Sequence, residues 1–171
     1  MDKTLRNQLI FAFYIPSTLI AVAYALLSPV LPVFASTLSN SYLIIGIILA
    51  AEAFGRVVGD LPSSWFMRRF GVKNAMIGSI LVAFVPFLLL YFVKNTWLII
   101  ALLFVSGLGH AVYNISRHTY IAVMVKSQMR GRAISLLGGM FRIGSFIGPL
   151  LGGWVAGRYS LEASFLVFVV F

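Results

Sequence analysis

Apolar residues run almost unbroken through five long stretches of this chain, about residues 8 to 35, 42 to 67, 74 to 93, 97 to 125 and 130 to 157, with short polar turns between them. Each can supply the roughly 20 residues that carry an α-helix across a bilayer. A sixth stretch begins near Leu161 and reaches Phe171 after 11 residues, about 16 Å of helix, short of a hydrocarbon core of about 30 Å. The pattern therefore predicts an all-α, polytopic membrane helical bundle with five full spans and the start of a sixth, in a chain cut short within that last helix. Lys3 and Arg6 precede the first stretch in the manner of a signal peptide. That stretch is too long for a secretory apolar region of roughly 7 to 15 residues, so an uncleaved first helix is expected.

Composition agrees with the pattern. The chain is 61% hydrophobic and 10% charged, where soluble domains average about 25% charged, and its mean hydropathy is +1.01. The net charge of +9 raises nucleic acid as a partner, but the basic residues fall at the ends of apolar runs rather than on one soluble face, so none is expected. Membrane orientation explains them instead. Lys3, Arg6, Arg68, Arg69, Lys73, Lys126, Arg130 and Arg132 share one side against Lys94 and Arg158 on the other, which predicts a cytoplasmic N-terminus. Without cysteine, disulfides and thiolate metal sites are excluded, and no cofactor is expected.

The remaining charges lie within the spans. Glu52, Arg56 and Asp60 follow at i, i+4 and i+8 on the second helix, one stripe that is either a self-neutralising ladder or a coupling site facing a wet cavity. Ser106, His110, Asn114 and Arg117 line a similar stripe on the fourth helix, and Arg142 stands about 12 residues inside Arg130 on the fifth. Counting depth along the helices pairs Asp60 with Arg117, and an anion or carboxylate should meet Arg142. Five such ions turned toward lipid would cost roughly 12 to 17 kcal/mol, as much as a domain's whole stability. Helices two, four and five, with Tyr14, Ser17, Thr18 and Tyr24 on helix one, should therefore surround a polar centre, while helix three and the start of helix six, uncharged in their apolar parts, should face lipid. Gly144, Gly148 and Gly152 repeat at intervals of four on the fifth helix, a packing face with Pro149 and Gly153 beside it.

These residues resemble the N-terminal half of a major facilitator superfamily transporter. Ser28 to Pro32 is similar to the end of that family's first helix, and Gly59-Asp60-Leu61-Pro62 to the approach to its loop between helices two and three. There the family pattern is roughly G-x-L-A-D-R-x-G-R-R, which Arg69, Phe70, Gly71 and Lys73 fit, while Ser64, Arg68 and Val72 depart from it. The resemblance gives Arg68, Arg69, Gly71 and Lys73 a gating role, although Arg68 stands where the family's charge latch needs an acid. Arg130-Gly131-Arg132-Ala133 and the G-x-x-x-G-P-x-x-G-G run from Gly144 to Gly153 resemble the start and the antiporter-associated motif of the family's fifth helix.

The resemblance implies that residues 1–171 form an incomplete N-terminal six-helix half. The implied activity is secondary transport of a small molecule by alternating access in the cytoplasmic membrane, proton-coupled efflux foremost. Its partners would be membrane lipid, the substrate, a proton or other coupling ion and the C-terminal half, without which the chain should not transport. Glu52 and Asp60 would carry protons, and Arg117 and Arg142 would be charge partners or anion contacts. Two rivals are a regulatory fragment that assembles with a partner through Gly144, Gly148 and Gly152, and an intramembrane serine hydrolase built on Ser106 and His110. The second lacks a G-x-S-G pattern and puts nucleophile and base on one helix.

Overall fold

The computed structural model describes residues 13–170. Six helices follow one another: α1 (Ile15–Leu38), α2 (Tyr42–Phe70), α3 (Val72–Leu90), α4 (Thr96–Met124), α5 (Ser127–Arg158) and α6 (Leu161–Val170). The first five are long and apolar enough to cross a membrane, as their sequence patterns predict. Lys3 and Arg6, which carry part of the charge asymmetry, lie outside the described residues.

Local chemistry sets the ends. Pro16 occupies the first turn of α1, where its missing N–H costs nothing. The Asn95 side chain caps α4 by accepting from the backbone N–H groups of Trp97 at 3.0 Å and Leu98 at 3.3 Å. Between α2 and α3 the connection is Gly71 alone, at φ 80°, the one positive φ among the described residues. A side chain there would be strained, which is why glycine makes this turn. Arg68 and Arg69 close the last turn of α2, where basic groups complement the helix dipole.

Packing divides the helices into two close pairs, α1 with α5 and α2 with α4, and α3 lies against α4. The glycines of α5 form the first seam, as their spacing predicts. A Cβ on Gly144 would come within 2.9 Å of Ala21, one on Gly148 would strike Ala25, and one on Gly152 would strike the carbonyl oxygen of Leu26. These glycines are therefore already covered by α1 and are not a free surface for a partner. Gly153 does not join them: it steps about 100° around α5, and a Cβ there meets open space.

The second seam is built from glycines on both helices. A Cβ on Gly55 would strike the Phe104 carbonyl oxygen, one on Gly59 would lie 2.9 Å from Leu108, and one on Gly107 would strike the Glu52 carbonyl oxygen. Small residues let these backbones approach as closely as in the first seam.

The expectation that helices three and six face lipid needs correction. One stripe of α3, including Ile77, Leu81 and Val85, is exposed, but Ala83, Phe84, Phe87 and Leu90 are buried. The start of α6 buries Phe165 and Phe168 completely against α1 and α3. Phe168 stacks on Phe84 at 4.4 Å and meets Tyr24 edge-on at 5.1 Å, and Phe165 meets Phe34 at 4.9 Å. Absence of charge permits lipid contact without requiring it. Aromatic rings of this size gain as much from each other.

Candidate functional site

The polar residues converge where α1, α2 and α4 meet. Gly55 and Gly107 bring the α2 and α4 backbones together, and this contact carries Glu52 up to His110: the carboxylate Oε1 lies 3.5 Å from His110 Nδ1. The same oxygen is 4.0 Å from Arg56 Nε. Glu52 is mostly shielded, with 13% of its side chain exposed, whereas Arg56 keeps 46%, so the pair lies at the border between packed interior and open space. From α1, Tyr24 lays its ring 3.7 Å from that of His110, centroid to centroid. The buried Tyr24 hydroxyl has no partner.

Further along α4, Arg117 donates from Nη2 to the Asn114 side-chain oxygen at 3.1 Å and holds its guanidinium 5.5 Å from the centre of the Tyr113 ring. A cation over an aromatic face in a dry setting is stabilised by the ring quadrupole. The buried Arg117 Nε and the Ser116 hydroxyl have no partner. Tyr113 in turn donates to Ser17 of α1 at 3.5 Å, so tyrosines from both helices frame the site.

Of the sequence-predicted residues, the structure thus brings together Glu52, Arg56 and His110, and separately Asn114 and Arg117. The expected ion pair between Asp60 and Arg117 is not formed: among the described residues the ion pairs within 4.0 Å are those of Glu52 with Arg56 and His110. Asp60 is exposed, one turn beyond Arg56. Arg142 is exposed too, and its position two residues before Gly144 turns it about 200° from the α1 seam. No carboxylate among the described residues meets it within 4.0 Å. Arg68, Arg69, Gly71 and Lys73 are all exposed at the joint between α2 and α3.

The hydrolase reading fails on geometry. Ser106 is fully buried and donates its hydroxyl to the Ala83 carbonyl at 2.7 Å, which anchors α4 to α3. Its oxygen has no opening toward a substrate.

Sequence reasoning set Tyr24 of α1 on the polar centre, as the structure has it, but not its contact with His110, and it missed Gly55 and Gly107 as the contact that positions Glu52. The signal for the glycines was present, since Gly55 and Gly59 repeat at the spacing of the fifth-helix motif.

The comparison with known proteins agrees. The multidrug resistance protein MdtH of Enterobacter sp. (strain 638) is 24% identical over 151 residues, 88% of this chain and 38% of that protein. MdtH of Salmonella paratyphi B (strain ATCC BAA-1250 / SPB7) matches to the same extent. The chain therefore spans 38% of the length of these relatives. The family model described as Major Facilitator Superfamily matches residues 14–171, and with that coverage the chain belongs to the Major Facilitator Superfamily, a superfamily of membrane transporters rather than enzymes.

Proposed function

We propose that this chain serves as the N-terminal six-helix half of a secondary transporter that exports a small molecule from the cytoplasm by alternating access, driven by protons. The observation that carries the proposal is Glu52, a shielded carboxylate shared between His110 at 3.5 Å and Arg56 at 4.0 Å within a membrane span. A carboxylate so placed has two states of different charge at one position. Ionised, it holds Arg56 and His110; protonated, it releases them, and the helices that bear them are freed to repack. Tyr24 stacks on His110, so α1 is linked to the same event. Asp60, exposed and without an ion pair, is the second proton carrier, while Arg117 and Arg142 face the substrate or acidic groups of the other half. The charge asymmetry of the connections supports a cytoplasmic N-terminus. Export, and a small organic substrate, are supported by the likeness to proteins named for multidrug resistance.

The test is transport in proteoliposomes by the intact transporter containing this half. Glu52→Gln is expected to abolish the response to an imposed pH gradient while leaving substrate binding within about threefold. Asp60→Gln is not isosteric, so Asp60→Asn is the matching variant, with a smaller expected loss. Proton-driven transport unchanged in both variants would remove them from the mechanism.

A further inference from the structure

Away from the polar centre, α2, α3 and α4 enclose a cavity of about 430 Å³ that opens sideways. Gly59, Pro62, Phe66 and Phe70 of α2 form one wall and Asn74, Gly78 and Val82 are on the other, with Leu108, Gly109 and Val112 of α4 as the floor. Gly78 helps to leave it open, since a Cβ there meets nothing within 4 Å, whereas Gly59 and Gly109 let α4 close against α2 and α3 at its floor. From Gly59 to Phe70 it runs 11 residues along α2, about 16 Å, close to half of a hydrocarbon core of about 30 Å. That is the reach of an acyl chain in one leaflet. Its lining is almost wholly apolar, and next in sequence to its Phe70–Asn74 end come the exposed Arg68, Arg69 and Lys73, which flank the groove without lining it. No acidic residue lies between Asp60 and Glu162, so nothing nearby in sequence neutralises the three cations.

We propose that this groove is a binding site for one anionic phospholipid, its acyl chain between α2 and α3 and its phosphate among Arg68, Arg69 and Lys73. Both halves of the ligand are required by the site. An apolar trough of leaflet length selects a hydrocarbon tail, and a basic cluster at the membrane surface selects a negative headgroup, each such residue contributing about fivefold in affinity. A soluble phosphate compound would use the cations and leave the groove empty; a zwitterionic lipid would fill the groove without using the net charge.

The site separates into two substitutions. Gly78 lines the groove, and a Cβ on it meets nothing within 4 Å, so Gly78→Leu adds bulk at the trough from an unobstructed position. Replacing Arg68, Arg69 and Lys73 together by Gln removes the charge and leaves the groove. Delipidated full chain would be titrated in detergent with phosphatidylglycerol, phosphatidylcholine and glycerol phosphate, with bound stoichiometry read by native mass spectrometry. The expected result is one phosphatidylglycerol bound about tenfold or more tighter than phosphatidylcholine. The Gln variant loses that preference but retains weak binding of both, and Gly78→Leu loses both. Because orientation in a bilayer does not enter a detergent titration, the outcome is independent of the topology proposed above. Equal binding of the two lipids, phosphatidylglycerol binding unaffected by Gly78→Leu, or full competition by glycerol phosphate would each overturn the proposal. So would a dimer of the chain that Gly78→Leu abolishes while lipid binding persists, since a second copy would then occupy the groove.

Discussion

The two glycine seams achieve the same closeness by different means, and only one of them touches the chemistry. In the α1–α5 seam the glycines all belong to α5 and press against Ala21, Val22, Ala25 and Leu26, an apolar stretch of α1. Arg142 is near it in sequence but turned away. In the α2–α4 seam, glycines come from both helices, and the backbone that Gly107 meets is that of Glu52 and Arg56. One seam fastens helices; the other also sets the height and distance of a carboxylate. Helix packing and the placing of an intramembrane carboxylate are thus coupled on one side of the bundle and independent on the other.

That contrast can be broken by substitution. Gly107→Leu should be the most damaging single change, costing about 3 kcal/mol in detergent unfolding, because the added atoms meet backbone rather than a movable side chain. In the intact transporter it should also shift or erase the pH dependence of transport, because Glu52 must move. Gly148→Ala follows, at about 1 to 2 kcal/mol, with the pH dependence of the remaining transport unchanged. A pH profile altered by Gly148→Ala as strongly as by Gly107→Leu would end the distinction between the seams. Gly71→Ala should cost about 1 kcal/mol through its positive φ, without regard to either seam. Smallest is Gly153→Ala: facing open space, it should be neutral or stabilise by up to about 0.5 kcal/mol through helix propensity, which makes it the control for the glycines beside it.

The legibility of the sequence follows the same division. Span number and the packing face of α5 could be read directly, because long apolar runs and a four-residue glycine repeat are local, periodic signals, but that α1 is what covers it could not. Glu52, Arg56 and His110 were recognisable as polar residues in costly places, and the i, i+4 spacing already offered the Glu52–Arg56 pair, but the contact of Glu52 with His110 across two helices was not legible. Counting depth along helices favoured Asp60 with Arg117, whereas the distance between groups depends on helix rotation and on how closely Gly55 and Gly107 let the helices approach. Tyr24 could be set on the polar side of α1, but its stacking on His110 could not be read until α1 is set against α4. The burial of Phe165 and Phe168 escaped notice because lipid and a packed aromatic cluster select the same side chains.

With Gly71 as the whole connection between α2 and α3, consecutive Cα atoms only about 3.8 Å apart leave no slack for either helix to slide past the other at that end. The two helices are tied at that elbow, while along their length each packs mainly on α4. A tilt of α2 at the Gly71 end would therefore be handed on to α3, and with it to whatever lodges between them, the surrounding bilayer included.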